Sequence, residues 1–107
     1  MIELELSIII VNWNTKNHLR NCLKSIYENV TDIPFEVIVV DNASSDGSAK
    51  MVKNEFPEVR LIENTTNVGF AKANNMAFVF AKGKQVLFLN PDTEVGKKAI
   101  QKMHKFL

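Results

Sequence analysis

Cysteine, tryptophan, proline and glycine are all scarce in this sequence of 107 residues, which has 1 Cys, 1 Trp, 3 Pro and 4 Gly. The lone Cys22 excludes an intramolecular disulfide framework and a cysteine-based zinc site. Its helical spacing makes it a core residue in a protein of a reducing, cytoplasmic compartment. An excess of charge of one sign is also missing: 13 Lys and Arg against 12 Asp and Glu give a formal charge of +1. Nucleic acid is therefore not expected as a partner, and an anionic ligand has to be recognised locally. No apolar run approaches a bilayer span. Glu3 and Glu5 ahead of the run 6–13 are unlike the basic start of a signal peptide. Without secretion, the sequons at Asn29, Asn42 and Asn64 read as unglycosylated.

What the sequence does have is alternation of two patterns. Hydrophobic residues make up 46% and charged residues 23%, an ordinary balance for one soluble domain over 1–107. Residues 7–11 and 35–40 are nearly continuous β-branched runs, the pattern of strands covered on both faces, and 59–62 and 86–89 are shorter versions. Leu19, Cys22, Leu23, Ile26, Tyr27 and Val30 lie on one face of a helix. A second helix fits 48–56, with Ala49, Val52 and Phe56 inward and Pro57 ending it. A third fits 70–82, with Phe70, Ala73, Ala77 and Phe80 or Ala81 on one side and Gly83 as a left-handed cap. A last helix from about Val95 puts Val95, Ala99, Ile100, Met103, Phe106 and Leu107 on one face. Lys97, Lys98, Lys102 and Lys105 form its solvated side, with a membrane surface as the alternative. The order strand, helix, repeated, implies α/β with right-handed crossovers and a mainly parallel sheet.

In such a sheet the ligand lies beyond the carboxyl ends of the strands. Those ends read Val11-Asn12-Trp13-Asn14, then Asp41-Asn42-Ala43-Ser44-Ser45-Asp46-Gly47, then the stretch from Asn64 to Phe70, then Asn90-Pro91-Asp92-Thr93. A pyrophosphate seated on a helix N-terminus needs glycines for close backbone approach. The first loop has none, since the glycines are Gly47, Gly69, Gly83 and Gly96. A divalent cation held by a carboxylate is the usual substitute for a glycine cradle.

Four motifs, Val-Asn-Trp-Asn, Val-Val-Asp-Asn-Ala-Ser-Ser-Asp-Gly-Ser, Asn-Val-Gly-Phe-Ala-Lys-Ala-Asn-Asn and Phe-Leu-Asn-Pro-Asp-Thr, closely resemble the family 2 inverting glycosyltransferases of the GT-A fold, particularly the rhamnosyltransferase-like branch. The resemblance covers essentially the whole chain. It implies a Rossmann-like nucleotide-diphospho-sugar transferase fold, truncated relative to the family, and a donor-binding role in glycan or polysaccharide synthesis. Val11, Asn12 and Trp13 then line the nucleoside, and Asp41 accepts a hydrogen bond from a pyrimidine with Asn42 beside it. Asp92 is the last acid of the Asp-x-Asp motif and binds metal, Mn2+ or Mg2+, and diphosphate. Asn90 departs from the motif's first acid, with Pro91 between. Gly69, Lys72 and Asn74 belong to the stretch near ribose or phosphate. The implied partner is a UDP- or dTDP-linked sugar. No acid aligns with the family's catalytic base, so no catalytic residue is named.

Plainer readings stand beside these. Trp13 also suits a core cap. Ser44, Ser45 or Asp46 suits an N-cap for the second helix, and Asn90-Pro91-Asp92-Thr93 suits a turn. His18 and His104 suit the surface. A non-catalytic nucleotide-binding module is the main rival function. A nucleotidyltransferase would want a glycine-rich first loop, and a receiver domain would want paired acids where Asn12 and Asn14 stand. A continuing natural chain, self-association and peripheral membrane association of a full-length protein are further expectations.

Overall fold

The computed structural model describes residues 3–97, 99 and 100. Its elements are β1 (Leu6–Asn12), α1 (Lys16–Asn29), β2 (Phe35–Asp41), α2 (Ser48–Glu55), β3 (Arg60–Glu63), α3 (Phe70–Phe78) and β4 (Gln85–Leu89). The four strands form one parallel sheet in the order β3-β2-β1-β4. The α/β reading of the sequence is met. The first three strands step outward one way and β4 returns to the other side of β1, so the strand order reverses between β1 and β4. That reversal opens a crevice at the carboxyl ends of the two strands, where open α/β sheets take their ligands.

The two faces of the sheet sort by strand alternation. Ile8, Ile10, Val37 and Val39 join Leu19, Cys22, Leu23 and Ile26 of α1 and Met51 and Val52 of α2 in one cluster. Ile9, Val11, Ile38 and Val40 pack on the opposite face against Ala73 and Ala77 of α3. Every residue of β1 is buried, which is why its sequence reads as one apolar run rather than an alternation. Two alanines in place of larger residues let α3 lie close against the middle of the sheet.

Several boundaries differ from the sequence reading. The third helix ends at Phe78 instead of running to Lys82. Phe70 and Phe80 are exposed rather than inward; the Phe80 ring instead lies 4.2 Å from the Arg60 guanidinium carbon, a cation–π contact that needs no burial. In α2 the buried apolar residues are Met51 and Val52, with Ala49 only half-buried. Val95 and Ile100 join the first core cluster, whereas Ala99 is exposed. Lys98, Lys102, Met103, His104, Lys105, Phe106 and Leu107 lie outside the described residues. The sequon asparagines all donate through their side-chain nitrogens, Asn29 to the Val95 carbonyl, Asn42 to that of Gly69 and Asn64 to the Asn42 amide oxygen.

Gly83 is not a left-handed cap; positive φ among the glycines occurs at Gly47 and Gly69. Its role is close approach at the amino end of the sheet. A Cβ there would lie 2.5 Å from both the Leu6 carbonyl carbon and the Ser7 nitrogen. The Gly83 N–H donates to Ser7 Oγ at 2.8 Å, Ser7 Oγ donates to Glu36 Oε2 at 2.6 Å, and the Lys82 N–H reaches the same oxygen at 2.7 Å. This latch seats β4 beside β1. Gly83→Ala is therefore expected to lower stability by ~1–3 kcal/mol through overpacking against backbone. Urea denaturation checks this, and an unchanged midpoint would show that β4 moves aside without cost.

Candidate functional site

The pairing register places Asn12 opposite Asp41, the last residues of β1 and β2. Both are buried, Asp41 at 3% exposure, and buried polar groups at a strand end require partners. Asn12 Nδ2 donates to Asp41 Oδ1 at 3.1 Å and to Ser44 Oγ at 3.3 Å. Thr15 Oγ1 donates to Asn12 Oδ1 at 2.6 Å. Ser44 gives Asp41 its hydroxyl at 2.7 Å to Oδ1 and its N–H at 3.0 Å to Oδ2. Three of the roughly four lone-pair positions of this carboxylate are thus taken within the protein. The two loops are tied a second time by Asn14, whose N–H donates to Ser44 Oγ at 2.8 Å and whose Oδ1 accepts the Ser45 N–H at 2.7 Å. Asn14 and Ala43 hold positive φ, 52° and 64°, in the left-handed region that asparagine tolerates and alanine seldom adopts. Trp13, between these tied residues, is 55% exposed.

The second tie lies between β2 and the loop ahead of α3. Asn42 Oδ1 accepts the Val68 N–H at 3.0 Å and Asn64 Nδ2 at 3.1 Å. Asn42 Nδ2 donates to the Gly69 carbonyl at 3.2 Å. Gly69 has φ 87° and ψ 167°, a conformation essentially confined to glycine. Lys72 is exposed and Asn74 half-buried on the helix that follows.

After β4, the Thr93 N–H donates to the Asn90 carbonyl at 3.0 Å. Residues 90–93 therefore form a turn, and this turn leaves Asn90 and Asp92 exposed and Pro91 half-buried. The Asn90 carbonyl also accepts Cys22 Sγ at 4.0 Å. Burial, and then the negative charges of Asp92 and Glu94, push the Cys22 thiol up to about 11, so it stays a neutral core group. Among the described residues no cluster of three or more His, Cys, Asp or Glu could hold a metal ion. One exposed carboxylate with a neutral amide beside it fits a hard cation that takes its remaining oxygens from phosphate and water. It does not fit a cation caged by protein alone.

A family model described as glycosyl transferase family 2 matches residues 7–107. The chain belongs to that family. It is similar to the poly(ribitol-phosphate) beta-glucosyltransferase of Bacillus spizizenii, 31% identical over 96% of this chain and 17% of the relative. Among solved structures it resembles S. aureus TarS 1-349 in complex with UDP-GlcNAc, with a TM-score of 0.85 and 28% identity over 96% of this chain and 31% of that one. It also resembles the mannosyltransferase PcManGT of Pyrobaculum calidifontis in complex with GDP-Man and Mn2+, with a TM-score of 0.75 and 31% identity over 86% of this chain and 28% of that one. The chain thus spans about a third or less of the length of these relatives.

Within this family 2 chain, the residues singled out in the sequence fall into two groups. Trp13, Gly69, Lys72, Asn90 and Asp92 are exposed at or beyond the carboxyl edge of the sheet, and Trp13 caps no core. Asn12, Asp41 and Asn42 are buried, and their side chains are engaged with the protein. The Val11 side chain packs in the second core cluster. What the sequence did not single out is the cross-loop bracing by Asn14, Thr15 and Asn64. Each pairs with a residue more than twenty positions away or fixes one that does, and no local pattern marks that.

Asp46 shows the same bracing. Gly47 occupies the N-cap position of α2 with φ 86°, so none of the three expected cap residues stands there. Asp46, one place earlier, performs the capping. Its Oδ1 accepts the N–H and hydroxyl of Ser48, and its Oδ2 accepts the Lys16 N–H at the start of α1, at 3.0 Å. Burial works to raise its pKa, but the bonds from the Ser48 side chain and the backbone N–H groups outweigh it and hold the carboxyl below its ordinary value. A lowered folded pKa stabilises fully above the unfolded value and loses that contribution as pH falls through the folded one. Asp46→Asn should thus cost about 0.5–1 kcal/mol at neutral pH, the scale of an anion at a helix N-terminus. The gap between variant and parent in urea melts should close below about pH 4. A gap that stays constant with pH would place the role of Asp46 in packing instead.

Proposed function

We propose that this chain forms the donor-binding part of a glycosyltransferase that moves a sugar from a nucleoside diphosphate to a hydroxyl acceptor, with inversion, in glycan synthesis. The observation that carries this reading is the convergence of three differently equipped loops at the carboxyl edge of the sheet, where the strand order reverses. The first offers an exposed indole at Trp13 for a base. The second offers one remaining lone pair of the Asp41 carboxylate, suited to a single pyrimidine N–H. The last offers the exposed Asp92 carboxylate toward a metal-bound diphosphate. The likeness to structures holding UDP-GlcNAc and GDP-Man supports the same arrangement.

A divalent cation, Mn2+ or Mg2+, would be held by Asp92 and would neutralise the diphosphate as it leaves. Asn90 would meet ribose or metal-bound water, and Lys72 and Asn74 the ribose or phosphates. Val11 and Asn12 would line the nucleoside through the strand end they build. We infer a uridine or deoxythymidine donor from the single-bond demand of Asp41. The rhamnosyltransferase-like branch is the finer reading that the four motifs support. A cytoplasmic location, supported by the buried free thiol of Cys22, belongs to the same proposal, as do self-association and peripheral membrane association of a longer chain. The exposed Phe70, Phe78 and Val79 on and just after α3 favour burial against further protein.

Trp13, the only tryptophan, should change its fluorescence when uridine or deoxythymidine diphosphate is added. No change with binding confirmed by calorimetry would take it out of the site. A receiver domain would bind no nucleoside diphosphate. Asp92→Asn should keep the fold, because the residue is exposed in a turn, yet abolish the manganese-induced gain in diphosphate affinity. Loss of a charge-assisted contact is worth roughly 1.5–3 kcal/mol, or about tenfold or more. Asn90→Ala should cost less. Calorimetric titration of parent and variants with and without manganese decides this; a full metal enhancement in Asp92→Asn would reduce residues 90–93 to a turn and sink the metal assignment.

A further inference from the structure

We propose that Asn42 is a positioning residue, whose buried amide fixes the 64–69 loop and the first turn of α3 to the end of β2, so that donor affinity depends on it without contact. The proposal rests on the reading of this edge as a nucleotide-sugar site. Asn42 is 2% exposed. Both lone pairs of its Oδ1 are used, by the Val68 N–H and by Asn64 Nδ2, and one of its two amide hydrogens goes to the Gly69 carbonyl. Only the second amide hydrogen remains for a ligand, and it is buried with the rest of the side chain.

The neighbours of Asn42 show what the bonds hold. Its own N–H donates to the Asn12 carbonyl at 2.8 Å, and the Asn64 N–H donates to the Asp41 carbonyl at 2.9 Å. Backbone pairing thus continues past the strand ends and fixes residues 42 and 64 to the sheet. Beyond Asn64 the chain leaves that ladder, and Val68 is the one residue of 65–69 that is not fully exposed. The loop then reaches Gly69, in a glycine-only conformation, whose carbonyl accepts both Asn42 Nδ2 and the Ala73 N–H that closes the first turn of α3. Asn42 therefore spans the loop, one amide oxygen at Val68 and one amide nitrogen at Gly69. Only an amide does this: aspartate lacks the donor, serine cannot serve both ends, and alanine takes away the acceptor of the Val68 N–H and one of the two donors to the Gly69 carbonyl. Lys72 and Asn74 sit immediately downstream, so the setting of the loop is the setting of those two side chains.

The test uses this chain and four variants, Asn42→Ala, Asn42→Asp, Asn64→Ala and the Asn42→Ala, Asn64→Ala double, titrated with uridine diphosphate and manganese. Amide exchange at Val68 and Gly69 and a urea melt are recorded for each. Asn42→Ala and Asn42→Asp should both bind about tenfold more weakly, the scale of one lost buried bond to a fixed partner. Asn64→Ala, which leaves the Asn42 side chain in place, should also weaken binding. The double variant should be no worse than Asn42→Ala, because the two act in one network. Exchange at Val68 and Gly69 should quicken in the free Asn42→Ala protein. If Asn64→Ala binds as the parent does while Asn42→Ala does not, Asn42 touches the nucleotide directly and the proposal is overturned. If affinity survives in Asn42→Ala while only the melt moves, the role is structural and the proposal is equally overturned. Should Asn42→Ala fail to fold, Asn64→Ala and Asn42→Asp decide by themselves. A parent that binds no nucleoside diphosphate removes the functional reading of the edge and this dependence with it, whereas a binding parent with unaffected variants removes this inference alone.

Discussion

The parallel pairing of β1 with β2 is the constraint on which the rest of the molecule depends. Leu6 pairs with Phe35 and each later residue with the next, so the two strands end level, Asn12 beside Asp41. A slip of one residue would turn one strand's set, Ile8 and Ile10 or Val37 and Val39, to the opposite face and out of its core cluster. Burial on both faces holds the register against that. Once the register is set, an amide and a carboxylate meet buried at the carboxyl end. Ser44 and Thr15 complete their bonds, and Asn14 in turn holds Ser44.

The two ends of the sheet use similar chemistry to different ends. At the amino edge Ser7, Glu36 and Gly83 form a closed latch whose tolerance for change is set by backbone contact. At the carboxyl edge the network braces loops from below while leaving Trp13, Lys72 and Asp92 open above it. A buried polar layer beneath exposed side chains holds these loops in place from within the protein.

Much of this was legible in the chain. The β-branched runs announced strands covered on both faces, and the spacing of Leu19, Cys22, Leu23 and Ile26 announced the first crossover helix. The four motifs at the strand ends carried the family. Reading failed where a residue's role depends on what lies across the sheet. Phe70 and Phe80 looked like core by spacing but lie outside it, because α3 packs on the strands through Ala73 and Ala77. Gly83 looked like a helix cap because it follows a helical pattern, yet its neighbours Leu6 and Ser7 are more than seventy residues away in sequence.

The sequence by itself determined the class of fold, the order of its elements and which loops gather at the carboxyl edge of the sheet. Strand periodicity and strand-end polarity are local properties, and the right-handed crossover leaves little choice in how they assemble. Only the tertiary structure decided which of the gathered residues are free to meet a ligand. In sequence Asn12 and Asn42 look no different from contact residues, and nothing local shows that Asp41 keeps only one lone pair unused. Buried at or just past the level strand ends, their side chains are satisfied within the protein, Asn12 by Thr15 and Asp41, Asp41 also by Ser44, and Asn42 by Val68, Asn64 and Gly69, since a buried polar group left unpaired costs more than most contacts return.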